Sequence, residues 1–223
     1  MSFSTTKLKK GGSFAIEKAI AAVLLQLYWD APEETNGADF DVDGHAFWLT
    51  KNSQAISRSG TDYALSTMND DLPHFDLEKM EITSRRPRKP GIDTGAFCLY
   101  DESLIHFGDN LTGGDDVSEQ ILIDFTKAPK EAEVLEIWLT IYDAERRKQN
   151  FGLLKSGSVS VLEARNKNNK MAAYDLKSEF KDQTAIRLVS FMKDDDDNWV
   201  FYALGEGFKA DFVKMVTKLG FEV

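Results

Sequence analysis

Cysteine is almost absent from the 223-residue chain, where Cys98 stands alone. No internal disulfide can form, and no cysteine-based zinc site can be assembled. A reducing, cytoplasmic setting is expected. Histidine is nearly as scarce: His45, His74 and His106 are scattered and form no metal-binding pattern. Positive charge is also short. Against 37 acidic residues stand 27 basic ones, a net charge of −10. That deficit argues against broad electrostatic binding to nucleic acid or to an anionic membrane. The apolar run from Ala19 to Trp29 is too short to cross a bilayer and is interrupted by Gln26. Lys7, Lys9 and Lys10 precede it, but no small-x-small cleavage site follows. It is read as a buried strand or short helix. A glycine-rich phosphate loop, a Gly-x-Ser-x-Gly turn and a Cys/His pair are all missing. No nucleophile is identifiable, so enzymatic activity is not expected.

What the chain does have is aromatic residues and short β-rich runs. Fifteen Phe, six Tyr and four Trp can fill a sizeable core. Ala46 to Leu49 reads as a strand. Phe97 to Tyr100 and Leu104 to Phe107 read as hairpin partners across the turn Asp101 to Ser103. Further strands are expected over Gln120 to Phe125, Val134 to Tyr142, Ser156 to Ala164, Ala185 to Met192 and Asn198 to Leu204. Asp194, Asp195, Asp196 and Asp197 make a solvated turn between the last two. From Phe208 to Leu219 the apolar spacing is helical, and Gly220 is a stop signal. These runs predict one all-β domain over 1–223, a two-sheet β-sandwich with a short C-terminal helix. Residues 69–94 hold Pro73, Pro87, Pro90 and a basic run from Ser84 to Pro90. They are read as a surface loop insertion.

Two acidic segments carry the chemistry. The first is Asp39-Phe40-Asp41-Val42-Asp43-Gly44. It matches the opening of an EF-hand calcium loop, but Thr50 stands where the bidentate Glu belongs, and strand rather than helix follows. In an extended strand, alternate residues share a face, so the three carboxylates can project together. Like charges so placed oppose one another's ionisation, and a hard cation relieves them. The second segment, Gly108 to Glu119, adds carboxylates at Asp109, Asp115, Asp116 and Glu119. Asn110 adds an amide oxygen and Thr112 a hydroxyl. Calcium takes roughly six to eight oxygens, whereas magnesium keeps its waters. The candidate metal ligands are therefore Asp39, Asp41, Asp43, Asp109, Asn110, Thr112, Asp115, Asp116 and Glu119. Asp30 is a further candidate or a turn residue.

Several motifs in order resemble the TerD-type tellurium-resistance and stress proteins, over nearly the whole chain. They are Leu8-Lys9-Lys10-Gly11-Gly12, Trp29-Asp30, Asp39 to Asp43, and Gly108-Asp109-Asn110-Leu111-Thr112-Gly113. Asp143-Ala144 with Arg146, Gln149 to Gly152, Tyr174-Asp175-Leu176, Thr184-Ala185 and Trp199 to Gly207 follow. The resemblance implies a calcium-binding β-sandwich with paired metal sites and a bacterial stress function without catalysis. It also implies stress-complex protein partners near the inner membrane face, with no membrane insertion. The chain departs from the family where Val117 and Ser118 replace expected acids. One calcium is expected, and the second site is thinned. Asp143 and the Gln149-Asn150 pair are read as structural. Two other functions stay open: a scaffold in which metal is incidental, and a hydrolase with structural calcium.

Overall fold

A computed structural model describes residues 5–32, 39–58, 62–69, 71–85, 95–108, 117–176 and 180–222. Among them, fifteen strands form two sheets packed face to face. In spatial order the larger sheet holds β1 (Thr6–Leu8), β13 (Asn166–Leu176), β12 (Ser156–Glu163), β3 (Ala22–Asp30) and β10 (Glu119–Asp124), then β9 (Leu104–His106), β8 (Phe97–Cys98), β6 (Pro73–Asp76) and β7 (Glu81–Arg85). The smaller holds β2 (Ser13–Ala15), β15 (Trp199–Phe208), β14 (Ala185–Lys193), β11 (Val134–Ile141), β4 (Val42–Leu49) and β5 (Ala64–Ser66). The all-β sandwich is thus as the sequence predicts.

Alternation builds the core. On β3, Val23, Leu25, Leu27 and Trp29 face inward. On β4, Val42, Ala46 and Trp48 meet them, and on β11, Leu135, Ile137, Leu139 and Ile141 do so. The other faces of β4 and β11 are buried as well, because helix α2 (Phe212–Leu219) lies across them. Its Met215, Val216 and Leu219 pack on Phe47, Leu49, Val134 and Trp138. Asp211 caps its start by accepting from the Lys214 N–H at 2.8 Å, and Gly220 ends it in the left-handed region at φ 93°. Every residue of β4 is consequently buried.

Three expectations change. The helix begins at Phe212, not at Phe208, which closes β15. The residues between 73 and 85 are not loop: β6 and β7 form an antiparallel hairpin that widens the larger sheet, with a bulge between His74 and Phe75. Its apolar residues are too few to show as a sequence pattern, and Phe75 and Ile82 pack on Ala96, Cys98 and Ile105 from beyond the hairpin. The run from Asn166 to Lys170 hides the first half of β13, because that half is solvent-facing and polar. The remainder of the basic run, 86–90, lies outside the described residues. A four-residue helix, α1 (Ala144–Arg147), also follows β11.

Candidate metal centre

The first acidic segment leads into β4 and is anchored at both sides. The Tyr142 N–H donates to the Asp41 carbonyl at 2.9 Å. Arg147 and Gln149 side chains each donate to the Asp39 carbonyl at 3.0 Å. The Arg147 guanidinium also lies 4.0 Å from the Asp41 carboxylate and 4.9 Å over the Tyr142 ring. Gln149 therefore serves backbone, as expected, and Asn150 accepts from the Gly152 N–H. Asp143 adopts the left-handed region at φ 53° and pairs with Arg146.

Asp41 and Asp43 are buried, at 8% and 3% exposure. Asp43 accepts from the Thr67 hydroxyl at 2.6 Å. Being odd-numbered on β4, it lies on the side of His45 and Phe47, toward α2. Glu119, fully buried as a side chain, comes to the opposite side of the strand. Its Oε2 accepts the Gly44 N–H at 3.0 Å. A Cβ on Gly44 would stand 2.5 Å from that oxygen and 2.9 Å from Leu27 Cδ1. Any side chain here would force Glu119 or Leu27 to shift. Asp43 and Glu119 thus bracket β4 from opposite faces.

Glu119 has a second donor that the sequence did not reveal. His106 Nε2 lies 3.3 Å from the same Oε2, with both side chains fully buried. The register Ile121↔His106 explains the meeting, because Glu119 is the diagonal neighbour on the inner face. The alternation of two adjacent strands flanking the acidic segment was the available signal. Among the described residues no three His, Cys, Asp or Glu side chains converge as a metal centre. Asp109, Asn110, Thr112, Asp115 and Asp116 lie outside the described residues. Ser118, one of the departures from the family pattern, is structural. Its hydroxyl oxygen accepts the Trp29 N–H at 3.2 Å. Asp30 ends β3 opposite Ser156.

Other chemistry is subdued. His45 touches the Ser66 and Thr140 hydroxyl oxygens, each at 2.9 Å. Burial, with His106 nearby adding to it, lowers its pKa from 6.5 to about 3. It is neutral at ordinary pH and a poor base. Burial pushes the Cys98 thiol up to about 12, with Glu102 and Asp101 adding to the effect. Asp194 accepts from the Asp196 and Asn198 N–H groups and organises the acidic turn before β15. A cleft of about 730 Å³ opens between α1 and α2, with Tyr142, Phe212 and Val213 among its lining residues. No described helix is long and apolar enough to cross a membrane.

Comparison with known proteins agrees with this architecture. The TerD domain model matches residues 98–219. The chain is 28% identical over 220 residues to "Tellurium resistance protein TerD" of Serratia marcescens, covering 97% of each. It is 27% identical over 223 residues to "General stress protein 16U" of Bacillus subtilis, covering 98% of this chain and 99% of that protein. A solved structure described as a homologue of telluride resistance protein (TerD) from Streptomyces coelicolor A3(2) superposes with a TM-score of 0.60. It is 15% identical and covers 90% of this chain and 98% of that one, a likeness of fold.

Proposed function

The chain belongs to the TerD family, whose domain accounts for more than half of its length, and from that premise we propose that it is a non-enzymatic calcium-binding stress protein. It acts through metal-stabilised contacts with other stress-complex proteins in the cytoplasm. The observation that carries this reading is the entry to β4, where Asp41 and Asp43 are buried two residues apart. Arg147 and the Thr67 hydroxyl serve these two carboxylates, and a cation would add favourable charge beside them. Every ligand expected from the sequence offers oxygen, which suits calcium. Asp39, Asp41 and Asp43 would hold the ion together with Asp109, Asn110, Thr112, Asp115 and Asp116. Glu119, across β4 from Asp43, does not share an ion with that residue. Calcium would supply a positive charge that offsets carboxylate repulsion. His45 is held as a weak base and the Cys98 thiol as a weak acid that stays protonated, which supports a role without catalysis.

Calcium should raise the melting temperature relative to chelator. At a free concentration ~100 times the dissociation constant the gain is about 2.7 kcal/mol per site. Asp41→Asn should weaken binding while leaving the chelated protein folded. An unchanged melting curve, with no calorimetric heat at millimolar calcium, overturns the reading.

A further inference from the structure

We propose that the outer face of the larger sheet holds a binding site for a small hydroxylated molecule that ends in an oxyanion. The site is a groove of about 310 Å³ lined by Gln26, Tyr28, Val117, Ser158, Ser160 and Lys170. Strand register builds it. Ser158 on β12 lies opposite Tyr28 of β3 and Asp175 of β13, and Ser160 lies opposite Gln26 and Ala173. Leu25, Leu27, Val159 and Val161 turn into the core, so the residues between them alternate to the outer face. Ser158, Ser160 and Ala173 make a low floor. Tyr28 and Gln26 stand along one wall, and Lys170, opposite Leu162, forms the other.

The polar groups of this groove do not serve the fold. Ser160 is only 6% exposed, yet its hydroxyl has no partner among the described residues. The side chains of Gln26, Tyr28, Ser158 and Lys170 make no hydrogen bond or ion pair among those residues either. A nearly buried hydroxyl left unserved costs stability, and an entering molecule can supply its bond. All five polar side chains can donate. Lys170 carries the one charge among the lining residues, in a chain of net charge −10. An oxyanion accepts from several such donors at once. Asp175 is exposed at the Ser158 end of the groove, and Lys170 stands at the other end. The anionic group therefore seats near Lys170, Ser160 and Gln26, and hydroxyls extend toward Ser158, Tyr28 and Asp175. Ligand pockets span ~300–1,000 Å³, so this small one suits a molecule of single-sugar size.

The experiment titrates the full ¹⁵N-labelled chain with glucose 6-phosphate, gluconate and glucose. The amide resonances of Gln26, Ser158, Ser160 and Lys170 should move with glucose 6-phosphate or gluconate. Glucose should bind at least ~10-fold more weakly, having lost the charge-assisted hydrogen bond. The tighter of the two anions shows whether phosphate or carboxylate is preferred, and either order upholds the site. Lys170→Gln should weaken the anion ~10-fold or more, and Ser160→Ala ~3–10-fold. Both variants should melt at or above the wild-type temperature, because neither group is bonded within the fold. A lower melting temperature for Ser160→Ala shows that its hydroxyl serves the fold and overturns the proposal. Still resonances with both anions at high millimolar concentration overturn it as well. So does glucose that binds as tightly as the anions, or undiminished binding by Lys170→Gln.

Discussion

Two histidines are buried on opposite sides of β4, and their surroundings differ. His45, on the outer side beneath α2, meets two hydroxyl oxygens and lies 5.0 Å from the Phe212 ring. His106, on the inner side, meets a carboxylate and a backbone N–H. Hydroxyl groups can donate or accept, so they satisfy an imidazole without fixing its charge or tautomer. A carboxylate and an N–H fix the tautomer and join separate segments. The outer histidine therefore fills and seals a layer, whereas the inner one links the end of β9 to Glu119 at the start of β10. Burial alone does not distinguish them; the partners do.

The largest expected effect tests the outer face. His45→Ala removes the ring between α2 and β4 and leaves the Ser66 and Thr140 hydroxyls without it. Urea unfolding at pH 7 should show a loss of about 3 kcal/mol. Little change in calcium affinity should accompany it. A large loss of affinity would erase the distinction between the two faces.

Acid should separate the histidines next. The folded pKa of His45, about 3, lies below its ordinary 6.5. Above pH 6.5 the ring is neutral in both states and its contribution is complete. As pH falls from 6.5 toward 3 the unfolded chain takes up a proton that the folded chain refuses. Stability should then fall by about 1.4 kcal/mol per pH unit from this group. From pH 6.5 to 5 the wild type should lose roughly 2 kcal/mol more than His45→Gln. Parallel stability curves for the two proteins would remove His45 as the cause.

The smallest effect probes the inner face. In Gly44→Ala the new methyl meets Glu119 Oε2 and Leu27 Cδ1, both side-chain atoms that can shift. Denaturant unfolding should register about 1–2 kcal/mol of destabilisation. The Gly44–Glu119 contact must lengthen, and unchanged stability would show that Glu119 and Leu27 yield without cost.

Much of this molecule is local and therefore legible in the residues. Val134 to Ile141 reads as a strand because its β-branched and aromatic residues pack on a pleated surface. The helix is announced by Phe212, Val213, Val216 and Leu219 and by Gly220. The β6–β7 hairpin was not legible, because its few apolar residues, Phe75 and Ile82, find their partners at Ala96, Cys98 and Ile105, distant in the chain. For the site, the structure buries Asp41, Asp43 and Glu119 and leaves Asp39 exposed, and only strand packing shows the sides of β4 on which Asp43 and Glu119 lie.

The amino-acid sequence by itself determined that strands would alternate into a sandwich and that α2 would end at Gly220. Propensity, periodicity and charge act over a few residues, so they survive in a one-dimensional string. Tertiary structure alone decided that Glu119 reaches Gly44 from the inner side, that Asp43 turns toward α2, and that His106 joins Gly108 to Glu119. Those choices depend on strand register and on which sheet faces which. Groups 75 residues apart meet there only after the core has packed.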